Sequence, residues 1–273
     1  MSEPNRTGIG TLAPGLLPAA APPTRWLEFH AVTEIGAARQ THEDAIVIGG
    51  TVAAASGAQV AGVGWIPPGG MLFAVTDGMG GYAGGAAAAG VVAISLAGCA
   101  GRVPPQNWAE WFEQLSDRVA AAGGAWGTAE MGATAVVVVA RPDRWEIVNV
   151  GDCRAYLVNQ GTVKQLSVDD RIATPRGEAV TQSLGGPARP INSHRVEFEF
   201  PPKSDDAVPH PVRLVLCSDG LFGAIPADEL HVLLAKPGPP RAVAGALAEA
   251  AYRNQSRDNF SIVVLDTPQP PAS

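Results

Sequence analysis

The chain has 273 residues, 46% of them hydrophobic, and its 19 lysines and arginines are outnumbered by 26 acidic residues, for a net charge of -7. That length supports one large folded domain with a sizeable core. The acidic balance excludes a broad basic face for nucleic acid or anionic lipid and favours cations as partners.

Residues 1–25 are rich in proline and alanine and read as a disordered leader. Pro14, Pro18, Pro22 and Pro23 break any apolar run that export would need. A folded domain is expected over 26–266, with a flexible tail at 267–273. Its first strand runs over Trp26–Val32, and "RQTHEDA" (Arg39 to Ala45) then delivers Glu43-Asp44 into a second strand, Ala45–Ile48. The stretch Gly49–Gly70 reads as an insertion forming a long hairpin or loop. A strand at Met71–Thr76 leads into "FAVTDGMGGYAGG" (Phe73 to Gly85), where one carboxylate, Asp77, meets a glycine-crowded loop. Ala83–Ala100 carries no charge, but its alanine and glycine partition weakly into lipid, so it reads as a buried helix and not a membrane span.

Trp108, Trp111, Phe112, Leu115 and Val119 recur at three- and four-residue steps, one apolar helix face destined for the core. Strands follow at Thr134–Ala140, Trp145–Val150 and Arg154–Val158, the last turning at Asn159-Gln160-Gly161 into Thr162–Leu166. Val196, Phe198 and Phe200 alternate with glutamates as a half-buried strand. Val212–Cys217 and Phe260–Leu265 read as buried strands, and proline opens helices at Pro226–Ala235 and Pro239–Arg253. Strands come in runs without strict alternation with helices, which favours an α+β layered sandwich over a doubly wound sheet. Cys99, Cys153 and Cys217 lack CxxC spacing and read as reduced thiols of a cytoplasmic protein.

The glycine loop invites a dinucleotide reading, but Asp77 would face the phosphate and no acidic residue follows near Ala97–Arg102 to hold a ribose. One Asp-Gly alone is an ordinary turn. The pattern of a strand ending in Asp-Gly returns, however, at "LVLCSDG" (Leu214 to Gly220), and Asp44 and Asp258 also stand at strand edges. Four such carboxylates converging on one end of a sandwich would repel one another by several kcal/mol unless cations intervened. Oxygen donors without histidine or cysteine at ligand spacing select Mg²⁺ or Mn²⁺ over Zn²⁺.

In order, "RQTHEDA", "FAVTDGMGGYAGG", "MGATAVVVV", "IVNVGDCRAYLV", "LSVDD", "VTQSLGG", "LVLCSDGLFG" and "SRDNFSIVVL" resemble the motifs of the PPM (PP2C-like) family of metal-dependent protein serine/threonine phosphatases, in its bacterial type. The resemblance spans about Trp26 to Asp266. It implies a four-layer α/β/β/α sandwich, two antiparallel sheets face to face and flanked by helices. It implies two Mn²⁺ or Mg²⁺ ions sharing a bridging hydroxide that attacks phosphoserine or phosphothreonine directly. Asp77 would bridge the ions, Asp44, Asp219 and Asp258 would complete their shells, and the Gly78 carbonyl would add an oxygen. Glu43 would act through metal-bound water, and Arg39 would grip the phosphate. Phosphorylated proteins, substrates of a bacterial kinase, are the implied partners. Met79 stands where some members carry a proton-donating histidine, and His42 stands where asparagine is usual and reads as space-filling. Asp152 corresponds to a third-metal aspartate, but Gly223 replaces its companion, which disfavours a third ion. Arg154 reads as structural, paired with a nearby carboxylate. The rival function is a catalytically silent module that binds phosphoproteins, whose signature would be loss of core ligands.

Overall fold

A computed structural model describes residues 25–80, 83–99, 107–128, 131–175, 177–187, 190–199 and 211–267. Residues 1–24 of the expected leader, 268–273 of the expected tail and Phe200 lie outside these, whereas Arg25 and Thr267, expected in the leader and the tail, belong to the first and last strands. Two six-stranded sheets and a separate small hairpin account for the strands, and every named strand pair is antiparallel.

The first sheet orders β4 (Ala58–Ile66), β1 (Arg25–Glu34), β14 (Phe260–Thr267), β13 (Val212–Cys217), β8 (Arg154–Asn159) and β9 (Thr162–Gln165). The second orders β12 (His194–Glu199), β7 (Arg144–Val150), β6 (Gly132–Ala140), β5 (Met71–Met79), β2 (Asp44–Ile48) and β3 (Thr51–Ala53). Between β9 and β12 the chain forms the hairpin β10 (Arg171–Thr174) and β11 (Gly177–Val180).

Strand alternation sorts the apolar residues into layers. In β2, Ile46 and Ile48 face the other sheet while Ala45 and Val47 face the helices, and β5 does the same with Phe73 and Val75 against Leu72 and Ala74. Helices α1 (Ala83–Ala97) and α2 (Trp108–Trp126) cover the second sheet through Val92, Leu96, Trp108, Phe112 and Leu115. On the first sheet lie α3 (Asp219–Phe222), α4 (Ala227–Leu234) and α5 (Pro240–Arg253), through Leu221, Leu230, Val243 and Leu247. Three apolar layers thus separate four structural layers, the α/β/β/α sandwich. Asn107 caps α2 by accepting from the Glu110 backbone N–H, and Gly127 closes it in the left-handed region at φ 73°. No helix among the described residues is long and apolar enough to cross a membrane.

The insertion-like stretch differs from its expected form. Its strands do not pair with each other: β3 joins β2 in one sheet, whereas β4 joins β1 in the other. Gly62 in β4 makes room for an aromatic ring, because a Cβ there would lie 2.6 Å from Phe29 Cζ.

Candidate metal centre

The layer between the sheets is apolar through its middle and polar at one end. Phe73 and Val75 of β5 are followed by Asp77, Ile48 and Ile46 of β2 are preceded by Asp44, and the period of two turns both carboxylates toward that layer. Asp44 and Asp77 are direct partners across the β2–β5 ladder. From the other sheet, β13 leads through buried Ser218 to Asp219, and Asp258-Asn259 precede β14, the neighbour of β13.

Two glycines let these segments close up. A Cβ on Gly78 would lie 2.0 Å from the Gly85 carbonyl oxygen and 2.8 Å from that of Glu43, and one on Gly220 would lie 2.0 Å from the Asn259 carbonyl oxygen. Both Asp-Gly pairs therefore serve close backbone approach. Asn259 locks the junction: its Oδ1 accepts from the Glu43 backbone N–H at 2.8 Å, and its Nδ2 donates to the carbonyls of Ile35 (2.8 Å) and Thr41 (3.2 Å).

Electrostatics mark the cluster as costly. Burial pushes Asp44 up to about 7; the hydroxyls of Ser218 and Ser261 pull it down, while Asp219 and Asp258 add to the rise. Asp77 is raised well above the usual carboxylate range by burial first, then by Asp44, Asp219, Asp152 and Asp258. Asp219 rises to about 6 through burial, then Asp152 and Asp258, against a hydrogen bond with Asp77. Burial likewise raises Glu43, with Arg39 opposing. Asp77 and Asp219 keep partial exposure at the mouth of the cluster. There a cavity of about 390 Å³ opens beside Asp219, Gly223 and Asp258. The larger cleft, about 670 Å³, lies at the opposite end of β13 and β14, around Arg213 and Asp266.

Arg39 Nη2 bonds Asp258 Oδ2 at 2.6 Å, and its Nη1 lies 3.7 Å from Glu43 Oε2. The bond to Asp258 is the main reason the guanidinium is held above its ordinary value. The fold thus gathers all the anticipated residues, Arg39, Glu43, Asp44, Asp77, Gly78, Asp219 and Asp258, at one end of the sandwich. Among the described residues no group of three acidic, histidine or cysteine side chains is already arranged to grip one ion. Asp44 Oδ2 is turned to two serines, Asp258 to Arg39, and Asp77 to Asp219. The donor set nonetheless fits a divalent cation. Glu43 Oε1 and Asp44 Oδ1 are buried without a hydrogen-bond partner, and like-charged carboxylates at close quarters lack internal neutralisation.

Sequence reasoning gave no role to Asn259, Ser218, Ser261 or Thr33. The available signal was positional: Thr33, Ser218 and Ser261 each end an inward-facing apolar stripe, as in Leu214, Leu216, Ser218. Asp152 is engaged by Arg171 of β10 at 2.6 Å, an arginine that also pairs with Glu178. Arg154 pairs with Asp169, its Nη2 at 2.6 Å from Oδ2.

A family model described as protein phosphatase 2C matches residues 59–238. The chain belongs to the protein phosphatase 2C family. The matched stretch carries Asp77, Gly78 and Asp219, while Arg39, Glu43, Asp44 and Asp258 flank it. Over 215 residues the chain is 27% identical to the serine/threonine protein phosphatase PstP of Mycobacterium tuberculosis, covering 72% of this chain but 40% of that relative's length. The crystal structure of M. tuberculosis PstP/Ppp superposes with a TM-score of 0.68 at 24% identity, over 88% of this chain and 98% of that one. The PstP catalytic domain in complex with two manganese ions superposes at 0.66, also at 24% identity and over 88% and 98% of the two chains. These two structures share this family member's fold.

Proposed function

We propose that this family member is a protein serine/threonine phosphatase that hydrolyses phosphoserine and phosphothreonine on proteins phosphorylated by a bacterial kinase. Asp44, Asp77, Asp219 and Asp258, with the carbonyl of Gly78, would hold two divalent cations, Mn²⁺ or Mg²⁺. The observation that carries this reading is the convergence of four strand-end carboxylates beside an exposed arginine. The two manganese ions in the PstP catalytic domain support the cation count. Bound there, such ions would neutralise phosphoryl charge and make water more acidic.

The chain's own groups supply the rest. Arg39, 45% exposed, offers a planar fork matched to two phosphate oxygens. A cation held by Asp258 would draw on the same carboxylate charge that binds Arg39 Nη2, which would loosen that bond and favour the fork's engagement with substrate. Glu43, held by the Asn259 clamp, has an unpartnered buried oxygen able to accept from a water at the cluster. Met79 has no proton to give, so the leaving hydroxyl takes its proton from solvent. Arg171 occupies Asp152 and Gly223 offers no carboxylate, which supports two ions and not three. The buried cysteines Cys153 and Cys217, outside any disulfide, support a reducing cytoplasm.

Phosphopeptide turnover tests the reading. The chain should release phosphate with Mn²⁺ or Mg²⁺ and not with excess chelator, and Asp77→Asn should abolish release. Undiminished turnover in chelator, or phosphopeptide binding without any turnover, would contradict it.

A further inference from the structure

Asp44 is gripped on one oxygen only. Its Oδ2 accepts from Ser218 Oγ and Ser261 Oγ, both at 2.7 Å, while Oδ1 is buried and has no hydrogen-bond partner. Ser261 Oγ lies 2.7 Å from Thr33 Oγ1, its direct partner in the β1–β14 register, and Thr33 Oγ1 lies 2.7 Å from His42 Nε2. An unbroken chain therefore leaves His42, crosses two strands of the first sheet and returns to Asp44, two residues further along in the second.

Proton counting sets its direction. A charged carboxylate, the form a cation requires, only accepts. Ser261 must donate to it, and a hydroxyl has one proton to donate. Ser261 must then accept from Thr33, and Thr33, its own proton used, must accept from His42. Thr33, Ser218 and Ser261 are all 0% exposed, so bulk solvent cannot replace a missing donor. His42 Nδ1 is buried without a partner, and a proton there would be an unsatisfied donor. The neutral ring protonated on Nε2 gives each link from His42 to Asp44 one donor and one acceptor and leaves no unsatisfied proton on Nδ1.

We propose that His42 is a positioning residue for Asp44, acting through Thr33 and Ser261 to pin Oδ2 and leave Oδ1 to a divalent cation. This rests on the cation-holding role proposed for Asp44. Partners of this kind orient ligands at metal sites, and losing one costs about tenfold or more in metal affinity.

Two measurements on the 273-residue chain test it. Nitrogen-15 histidine spectra in Mg²⁺, assigned by the signals missing from His42→Asn, should show His42 protonated on Nε2. Calorimetry with Mn²⁺ should show affinity lowered about tenfold in Thr33→Val, which keeps the shape and removes the hydroxyl. Thr33→Ser should restore wild-type affinity. Adding His42→Ala to Thr33→Val should bring no further loss, since both act through one chain. A wild-type ring protonated on Nδ1, or wild-type Mn²⁺ affinity in Thr33→Val, would overturn the proposal. Should Thr33→Val not fold, His42→Ala alone carries the affinity arm, and unchanged affinity there overturns it equally. An Nε2-protonated ring in a chain that binds no Mn²⁺ would defeat the cation reading of the whole site. An Nδ1-protonated ring with normal Mn²⁺ binding would defeat this inference alone.

Discussion

Two acidic regions meet at Asp219, and they solve the cost of buried charge differently. On one side Asp152, Asp169 and Glu178 are answered from within the chain. Arg171 bonds Asp152 at 2.6 Å and also pairs with Glu178, and Arg154 grips Asp169 through Nε and Nη2. Both guanidinium groups lie over the Phe222 ring, at 3.7 Å for Arg154 and 5.1 Å for Arg171. Burial works against the charge of Arg154, yet its bonds to Asp169 hold it above its ordinary value. On the other side, among the described residues, no arginine, lysine or histidine pairs with Asp44, Asp77 or Asp219, and all three are pushed upward. The chain supplies arginines to one carboxylate set, whereas at the other Arg39 reaches only Asp258 and Glu43, and this contrast supports the proposed cation site at Asp44, Asp77 and Asp219.

The sharpest way to break this contrast is to neutralise one carboxylate in each region. Asp219→Asn should lower Mn²⁺-dependent phosphopeptide turnover on the order of 1,000-fold, a loss of the size seen when a key electrostatic group is removed. Asp169→Asn should instead lower resistance to urea and leave most turnover in the folded fraction.

Arg39 offers the next largest effect. Arg39→Ala should reduce kcat/KM for a phosphopeptide by roughly 30-fold, from about 2 kcal/mol of charge-assisted bonding. Arg39→Lys should recover little, because an ammonium lacks the two-pronged fork. Steady-state kinetics at fixed Mn²⁺ would check both.

In the arginine-paired region, Arg171→Gln should cost about 2 kcal/mol of stability by leaving Asp152 buried and unpaired. The double change with Asp152→Asn should return part of that loss in urea titrations.

The last effect is a slope and not a single loss. In chelator, unfolded Asp44 and Asp219 would release protons near 4, whereas the native chain retains them until about 7 and about 6. Between those values the native state binds more protons, so their contribution to stability is full below about 4 and falls as pH rises. Relative to Asp44→Asn, wild type should therefore lose up to about 1.4 kcal/mol per pH unit, the slope of the one carboxyl removed. Denaturation series from pH 4 to 7 would reveal the difference, and saturating Mn²⁺ should remove it.

What could be read from the sequence follows the same contrast. Buried strands such as Met71–Met79 and Gly132–Ala140 are legible as short continuous apolar runs, the second rich in valine and opened by glycine. The hairpin Arg171–Thr174 with Gly177–Val180 carries no apolar stripe, for it packs by ion pairs, and periodicity passes over it. Strand β4 is hidden because Gly62 and Gly64 replace the expected apolar residues, the first beneath Phe29. At the site, the Asp-Gly repeats stand out as carboxylates ending apolar runs. The hydroxyls of Thr33, Ser218 and Ser261 do not, since threonine and serine inside strands are unremarked until their partners from other strands are known.

Calorimetric titration of Mn²⁺ into wild type, Asp77→Asn and Asp152→Asn bears most directly on the division between the two regions. Wild type should take up two ions, Asp77→Asn should lose that uptake, and Asp152→Asn should keep it. Ion binding that survives in Asp77→Asn but disappears in Asp152→Asn would contradict it.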